Sequence, residues 1–110
     1  MNDYFHAECS RADAAAKLIK LQDEDEDDEA HVLFRSGSEP GTYAVSTISE
    51  RGKIRHYKVR ALDHRLGMCE ADGQVQNYNY MDVHVFLQHI QGMGTLARAP
   101  NPTPLFPQII

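Results

Sequence analysis

Three consecutive apolar residues, Val32-Leu33-Phe34, run directly into an arginine, Arg35. In a β-strand, neighbouring side chains point to opposite faces, so Leu33 and Phe34 cannot share one core. A sheet that is apolar on both faces must be covered on both. His31 to Arg35 therefore reads as a buried strand, stopped by the polar turn Ser36-Gly37-Ser38-Glu39-Pro40-Gly41. Thr42 to Ile48 is β-branched and aromatic and forms the next strand. After the turn Ser49-Glu50-Arg51-Gly52, Lys53 to Arg60 completes an antiparallel meander.

Two helices supply the covers. Ser10 and Asp13 form a capping pair ahead of Ala14, Leu18 and Leu21, which recur at helical spacing. This helix is expected to end before Asp23. Asp82 is a good N-cap, and Val83, Phe86, Leu87 and Ile90 fall at i, i+3, i+4 and i+7, one apolar stripe. Between them, Leu66 to Glu70 and Gln74 to Tyr78 read as a small second hairpin turned by Asp72-Gly73. The expected class is α+β: a central antiparallel sheet with one helix on each face and a small second hairpin. Residues 1–99 form one domain, followed by a Pro-rich tail, 100–110, whose Pro104 and Pro107 have the spacing of a ligand for a proline-binding domain.

The 110 residues carry a formal net charge of −5, but seven acids form one run from Asp23 to Glu29. Without that run the balance is −5 + 7 = +2. Five bases, Arg51, Lys53, Arg55, Lys58 and Arg60, lie within ten residues. The chain is thus a mildly basic domain with a self-repelling acidic loop, which lacks the alternating ligands and central glycine of a calcium loop. No apolar stretch of membrane-spanning length and no secretory leader is visible. Cys9 and Cys69 match no metal spacing and read as reduced thiols of a cytoplasmic protein.

Arg35 is the residue that asks for an explanation. It is in phase with Leu33 and so faces inward, where an arginine persists only if something anionic meets it. A structural ion pair is one answer, although Glu39 is the only acid close in sequence. On the third strand, His56 and Lys58 share a face that can be Arg35's. Two cations, a histidine and a hydroxyl-rich turn suggest a site for a dianion such as phosphate, whose oxygens a guanidinium grips in pairs. The same cations disfavour a metal.

These residues bear a family likeness. Val32-Leu33-Phe34-Arg35 and the Ser-Gly-Ser turn after it resemble the Phe-Leu-Val-Arg-Glu-Ser signature of Src homology 2 domains. Gly52-Lys53-Ile54-Arg55-His56-Tyr57-Lys58-Val59 is similar to that family's fourth central strand with its His-Tyr pair. Tyr4-Phe5-His6 through Ser10-Arg11, Tyr80-Met81-Asp82 entering the second helix, and Gly92 to Pro100 resemble further segments in the same order. The resemblance implies a phosphotyrosine-binding adaptor module with no catalysis and no cofactor. In it Arg35 is the essential phosphate ligand, Arg11 contacts phosphate and ring, Ser36 and Ser38 donate hydroxyls, and His56 and Lys58 line the pocket. Tyr57 would face the peptide beyond the phosphotyrosine. Implied partners are tyrosine-phosphorylated proteins rather than nucleic acid or membranes, met by a monomer in the cytoplasm, or in a host cytoplasm were the chain a bacterial effector.

The sequence departs from the family at Tyr4, where Trp is usual, at Ala7, where Gly is usual, and at Ser36 and Gly37 in the phosphate loop. The short Gln91-Gly92-Met93-Gly94 connection predicts weak selectivity for the residues that follow the phosphotyrosine. An interaction domain of the same fold that binds phosphoserine or unmodified partners is the rival reading. A phosphatase lacks any motif placing a thiol or carboxylate beside Arg35.

Overall fold

The computed structural model describes residues 4–37, 42–68 and 79–99. Ser38, Cys69, the Gln74 to Tyr78 strand and the Pro-rich tail lie outside the described residues. Among the described residues nine elements follow in order: β1 (Phe5–His6), α1 (Arg11–Glu24), β2 (His31–Ser36), β3 (Thr42–Ile48), β4 (Ile54–Leu62), β5 (Arg65–Met68), β6 (Asn79–Asp82), α2 (Val83–Gln91) and β7 (Thr95–Leu96). The fold is α+β, with a mostly antiparallel sheet and two helices. None of the described helices is long and apolar enough to cross a membrane.

Helix α1 starts as its sequence dictates. Ser10 Oγ accepts from the Asp13 backbone N–H at 3.1 Å, and Asp13 Oδ2 accepts from the Ser10 N–H at 3.3 Å. This reciprocal pair satisfies two of the amide groups that a helix start leaves open. The helix ends two residues later than expected, taking in Asp23 and Glu24 of the acid run. Gln22 is what holds this end down. It is buried, and its amide nitrogen donates to the carbonyls of Ser49 at 2.7 Å and Glu29 at 3.3 Å. One side chain thereby ties the acidic loop to the β3–β4 turn.

The sheet runs β1-β2-β3-β4-β5-β6, with β7 also paired to β2. Strands β2, β3 and β4 form the expected meander, with Leu33 opposite Ser46 and Ser46 opposite His56. Both faces are covered, each by one helix. Val32, Phe34, Val45, Val59 and Leu66 pack with Phe86 and Ile90 of α2. The alternate residues Leu33 and Ile48 pack with Ala14 and Leu18 of α1. Asp82 caps α2 as expected, its carboxylate accepting from the His84 N–H at 2.9 Å.

Three features correct the sequence reading. The strand expected from Leu66 is β5, Arg65–Met68, and it pairs with the far end of β4 on one side and β6 on the other, extending the one sheet. The β4–β5 turn is Asp63-His64, with φ of 48° and 62°. Both values are positive, as a two-residue turn of the I′ type requires, but neither residue is the glycine that would have signalled it. The expected third strand is shifted to Ile54–Leu62. Finally, the two-residue strands β1 and β7 run parallel to β2 along one edge, Phe5 beside Phe34 and Thr95 beside His31. Gly94 makes the second pairing possible: a Cβ there would stand 2.7 Å from the Ala30 carbonyl.

Candidate functional site

The register gathers the candidate residues on the α1 side of the sheet. Residues directly opposite in paired strands share a face. Arg35, Ala44 and Lys58 form one cross-strand row, and Leu33, Ser46 and His56 form the next. His6 stands beside Arg35 on β1. Arg11, the first residue of α1, lies close enough to both Arg35 and His56 to depress their proton affinities. Lys58 and Arg11 are exposed, His56 is half-buried, and Arg35 is 7% exposed.

The centre of the arrangement is Ser46. It is fully buried, and its Oγ accepts from Arg35 Nε at 3.0 Å while lying 2.7 Å from His56 Nδ1. A hydroxyl has one proton to give, and Arg35 can only donate. The hydroxyl can also accept a second bond, so its contact with His56 Nδ1 runs in the direction that the imidazole tautomer sets. The relay fixes the guanidinium plane from one side and the imidazole from the other. Sequence reasoning missed Ser46 as a site residue. Its signal was a serine between Ala44 and Ile48, on the alternate positions of β3 that face α1.

Among the described residues Arg35 makes one further bond, from Nη1 to the Ser36 carbonyl at 3.3 Å. No carboxylate among the described residues pairs with it; Glu39, the acid near it in sequence, lies outside them. Burial is the main cause that lowers the proton affinity of Arg35, with Arg11 adding to it and Cys9 opposing it. His56 is lowered by burial first, then by Arg11 and Arg35. Among the described residues the guanidinium is thus a desolvated cation with a second cation, Arg11, beside it.

Other candidates are placed as follows. Ser36 is one residue out of phase with Arg35, and the group it turns to the guanidinium is its carbonyl. Tyr57 lies on the opposite face, half-buried against the α2-side core. The Gln91–Gly94 connection lines a groove of about 670 Å³ with Tyr4, Glu29, Ala30, Glu50, Thr95 and Leu96. Neither Arg35 nor Tyr57 reaches that groove. Among the described residues no cluster of three or more metal-ligating side chains occurs.

Cys9 is nearer to Arg35 than the sequence suggested, within electrostatic reach of it. It is nonetheless buried in the α1-side core, and its thiol faces the Ser10 carbonyl at 3.7 Å. Burial raises its pKa most, and Asp13 adds to that against the opposing pull of Lys17 and Arg35. A thiol held protonated in this way is a poor nucleophile.

A scan against protein-family models and a search of curated proteins gave no match to this chain.

Proposed function

We propose that this chain is a phosphotyrosine-peptide recognition module of the Src homology 2 kind, a binding domain without catalysis of its own. The observation that carries the reading is the buried Arg35 guanidinium, oriented by Ser46 and unmatched by any carboxylate of the described residues. A phosphoryl group brings about −1.5 to −2 charges and three acceptor oxygens. It supplies what Arg35 lacks. Arg11 from the helix above and His56 and Lys58 from β4 surround the same point, so the anion would be met from three elements. The half-buried ring of His56 offers a face for an aromatic residue that bears the phosphate, which favours tyrosine over serine.

The test is a titration with matched peptides carrying tyrosine, phosphotyrosine or phosphoserine, on wild type, Arg35→Ala and Arg35→Lys. Binding to phosphotyrosine alone, lost in Arg35→Ala, is expected. Arg35→Lys should bind severely less well, because an ammonium cannot make the paired grip or keep the Nε bond to Ser46. Equal binding of phosphoserine would move the reading to a general phosphate module. Tight binding of the unphosphorylated peptide would replace it with an interaction scaffold, and released phosphate would mean an enzyme.

A further inference from the structure

A second opening lies away from Arg35, beside β7. In the β2–β7 pairing the Thr95 and Ala97 N–H groups donate to the Ala30 and Val32 carbonyls at 2.9 and 2.8 Å. Successive residues of a strand turn their backbone groups to opposite sides, so the N–H and C=O of Leu96 point away from β2. Among the described residues β7 pairs with β2 alone, and an unpaired strand edge is a template for a further strand. Strands β1 and β7 share one edge of β2, Phe5 beside Phe34 and Leu96 beside Val32, so the chain leading into β1 has to pass β7. Tyr4 on that stretch lines the groove of about 670 Å³ together with Thr95 and Leu96. The groove therefore borders the free side of β7.

The lining decides what can use that edge. Met93 and Leu96 pack on the α2-side core and supply apolar surface. Glu29, the last acid of the Asp23 to Glu29 run, and Glu50 of the β3–β4 turn supply charge. Both are exposed, and neither carboxylate has a hydrogen-bond or ion-pair partner among the described residues. No lysine, arginine or histidine is among the described lining residues. Arg51, next to Glu50, stays outside the groove, and so does Arg98, which stands over the Tyr4 ring at 5.8 Å. We propose that this groove docks a short extended segment of a partner protein that alternates basic and apolar residues, and that the segment adds to β7 as a strand. Its main chain would exchange hydrogen bonds with the free N–H and C=O of Leu96. Alternate side chains repeat every ~6.6 Å; the basic ones would meet Glu29 and Glu50, and the apolar ones Met93 and Leu96. This surface is separate from the Arg35 site, so the proposal does not depend on phosphotyrosine recognition.

The experiment titrates the full chain with three capped peptides, followed by the shifts of its backbone amide resonances. The peptides are an alternating lysine–valine sequence, its glutamate–valine counterpart, and the lysine–valine sequence with every backbone amide methylated. The first should bind, with the largest shifts at Thr95, Leu96 and Ala97, and more weakly as salt rises. Methylation removes the main-chain donors and should weaken binding roughly tenfold. The glutamate peptide should not bind. Exposed charge pairs contribute little each, so Glu29→Gln/Glu50→Gln should lose roughly three- to tenfold. Glu24→Gln/Glu26→Gln removes as much charge from the acid run outside the groove and should change the affinity less than twofold. The three peptides on wild type decide the question if a variant does not fold. No binding of the lysine–valine peptide, equal binding of its methylated or glutamate form, or equal losses in the two double variants overturns the proposal. Arg35→Ala should bind the lysine–valine peptide as wild type does, and a loss there would overturn the separateness of the two sites.

Discussion

Replacing Arg35 with methionine should stabilise the unliganded protein while removing its response to phosphotyrosine. The size of the effect follows from the surroundings of Arg35. Holding a guanidinium 7% exposed with no described carboxylate to meet it incurs an effective desolvation penalty of several kcal/mol. Two hydrogen bonds offset part of this: the 3.0 Å bond to Ser46 and the longer one to the Ser36 carbonyl. Bonds from a charged donor contribute about 1.5–3 kcal/mol each, the 3.3 Å one at the lower end. Arg11 adds repulsion. Methionine has a similar length and no charge, and Ser46 keeps His56 as a partner. Replacing a buried charge with a well-packed apolar residue is often neutral or favourable by 1–4 kcal/mol, with about 1–2 kcal/mol expected here. In a domain this size that amounts to a rise of roughly 4–15 °C in melting temperature. Phosphopeptide at a hundred times its Kd would stabilise wild type by about 2.7 kcal/mol and leave Arg35→Met unmoved. The two proteins should therefore exchange rank when peptide is added. Urea and thermal unfolding, each with and without peptide, measure this directly. If Arg35→Met without peptide is less stable than wild type by about 2 kcal/mol or more, Arg35 is a structural residue and the ligand argument fails.

Two further outcomes are expected. Ser46→Ala leaves Arg35 Nε buried without its acceptor and should destabilise the fold by about 1–3 kcal/mol, weakening phosphopeptide binding roughly tenfold as the guanidinium loses its orientation; unchanged urea midpoint and affinity would show that the relay does nothing. The pH dependence comes from His6 and His56, both lowered from the ordinary value of 6.5, chiefly by burial. The folded state binds fewer protons than the unfolded one, so this stability is present above about pH 6.5 and lost as the pH falls through the lower folded values. The pair His6→Gln/His56→Gln should flatten the fall in urea midpoint between pH 7 and 5, and an equally steep fall in that variant would place the titration elsewhere.

Much of this architecture was legible because the signals were local. Asp82 and the Val83-Phe86-Leu87-Ile90 stripe declare α2, and the adjacency of Leu33 and Phe34 demands covers on both faces of β2. Strand phase put His56 and Lys58 on one face that could be Arg35's, and the register of β2, β3 and β4 makes it so. What stayed hidden depends on partners distant in sequence. Phe5-His6 and Thr95-Leu96 are too short to show any period, and each becomes a strand only because β2 offers an open edge. Asp63-His64 turns a hairpin without glycine, since the β4–β5 pairing holds both residues at positive φ. The role of Ser46 appears only when Arg35 and His56 arrive on either side of it.

The strand that bears Arg35 is flanked on one side by β3, thirteen residues away at the Leu33–Ser46 pair, and on the other by both extremities of the described fold. Its second edge is completed only when Thr95 and Leu96 dock beside His31 and Val32. On a ribosome the chain emerges from its N-terminus, at about 5–20 residues per second. The meander can form early, but β2 keeps part of one edge open until nearly the last described residue has emerged. His6 lacks its Ala97 acceptor for just as long. A chain halted before Thr95 would leave His31 and Val32 without their β7 partners, so the sheet is finished only as the last described strand docks.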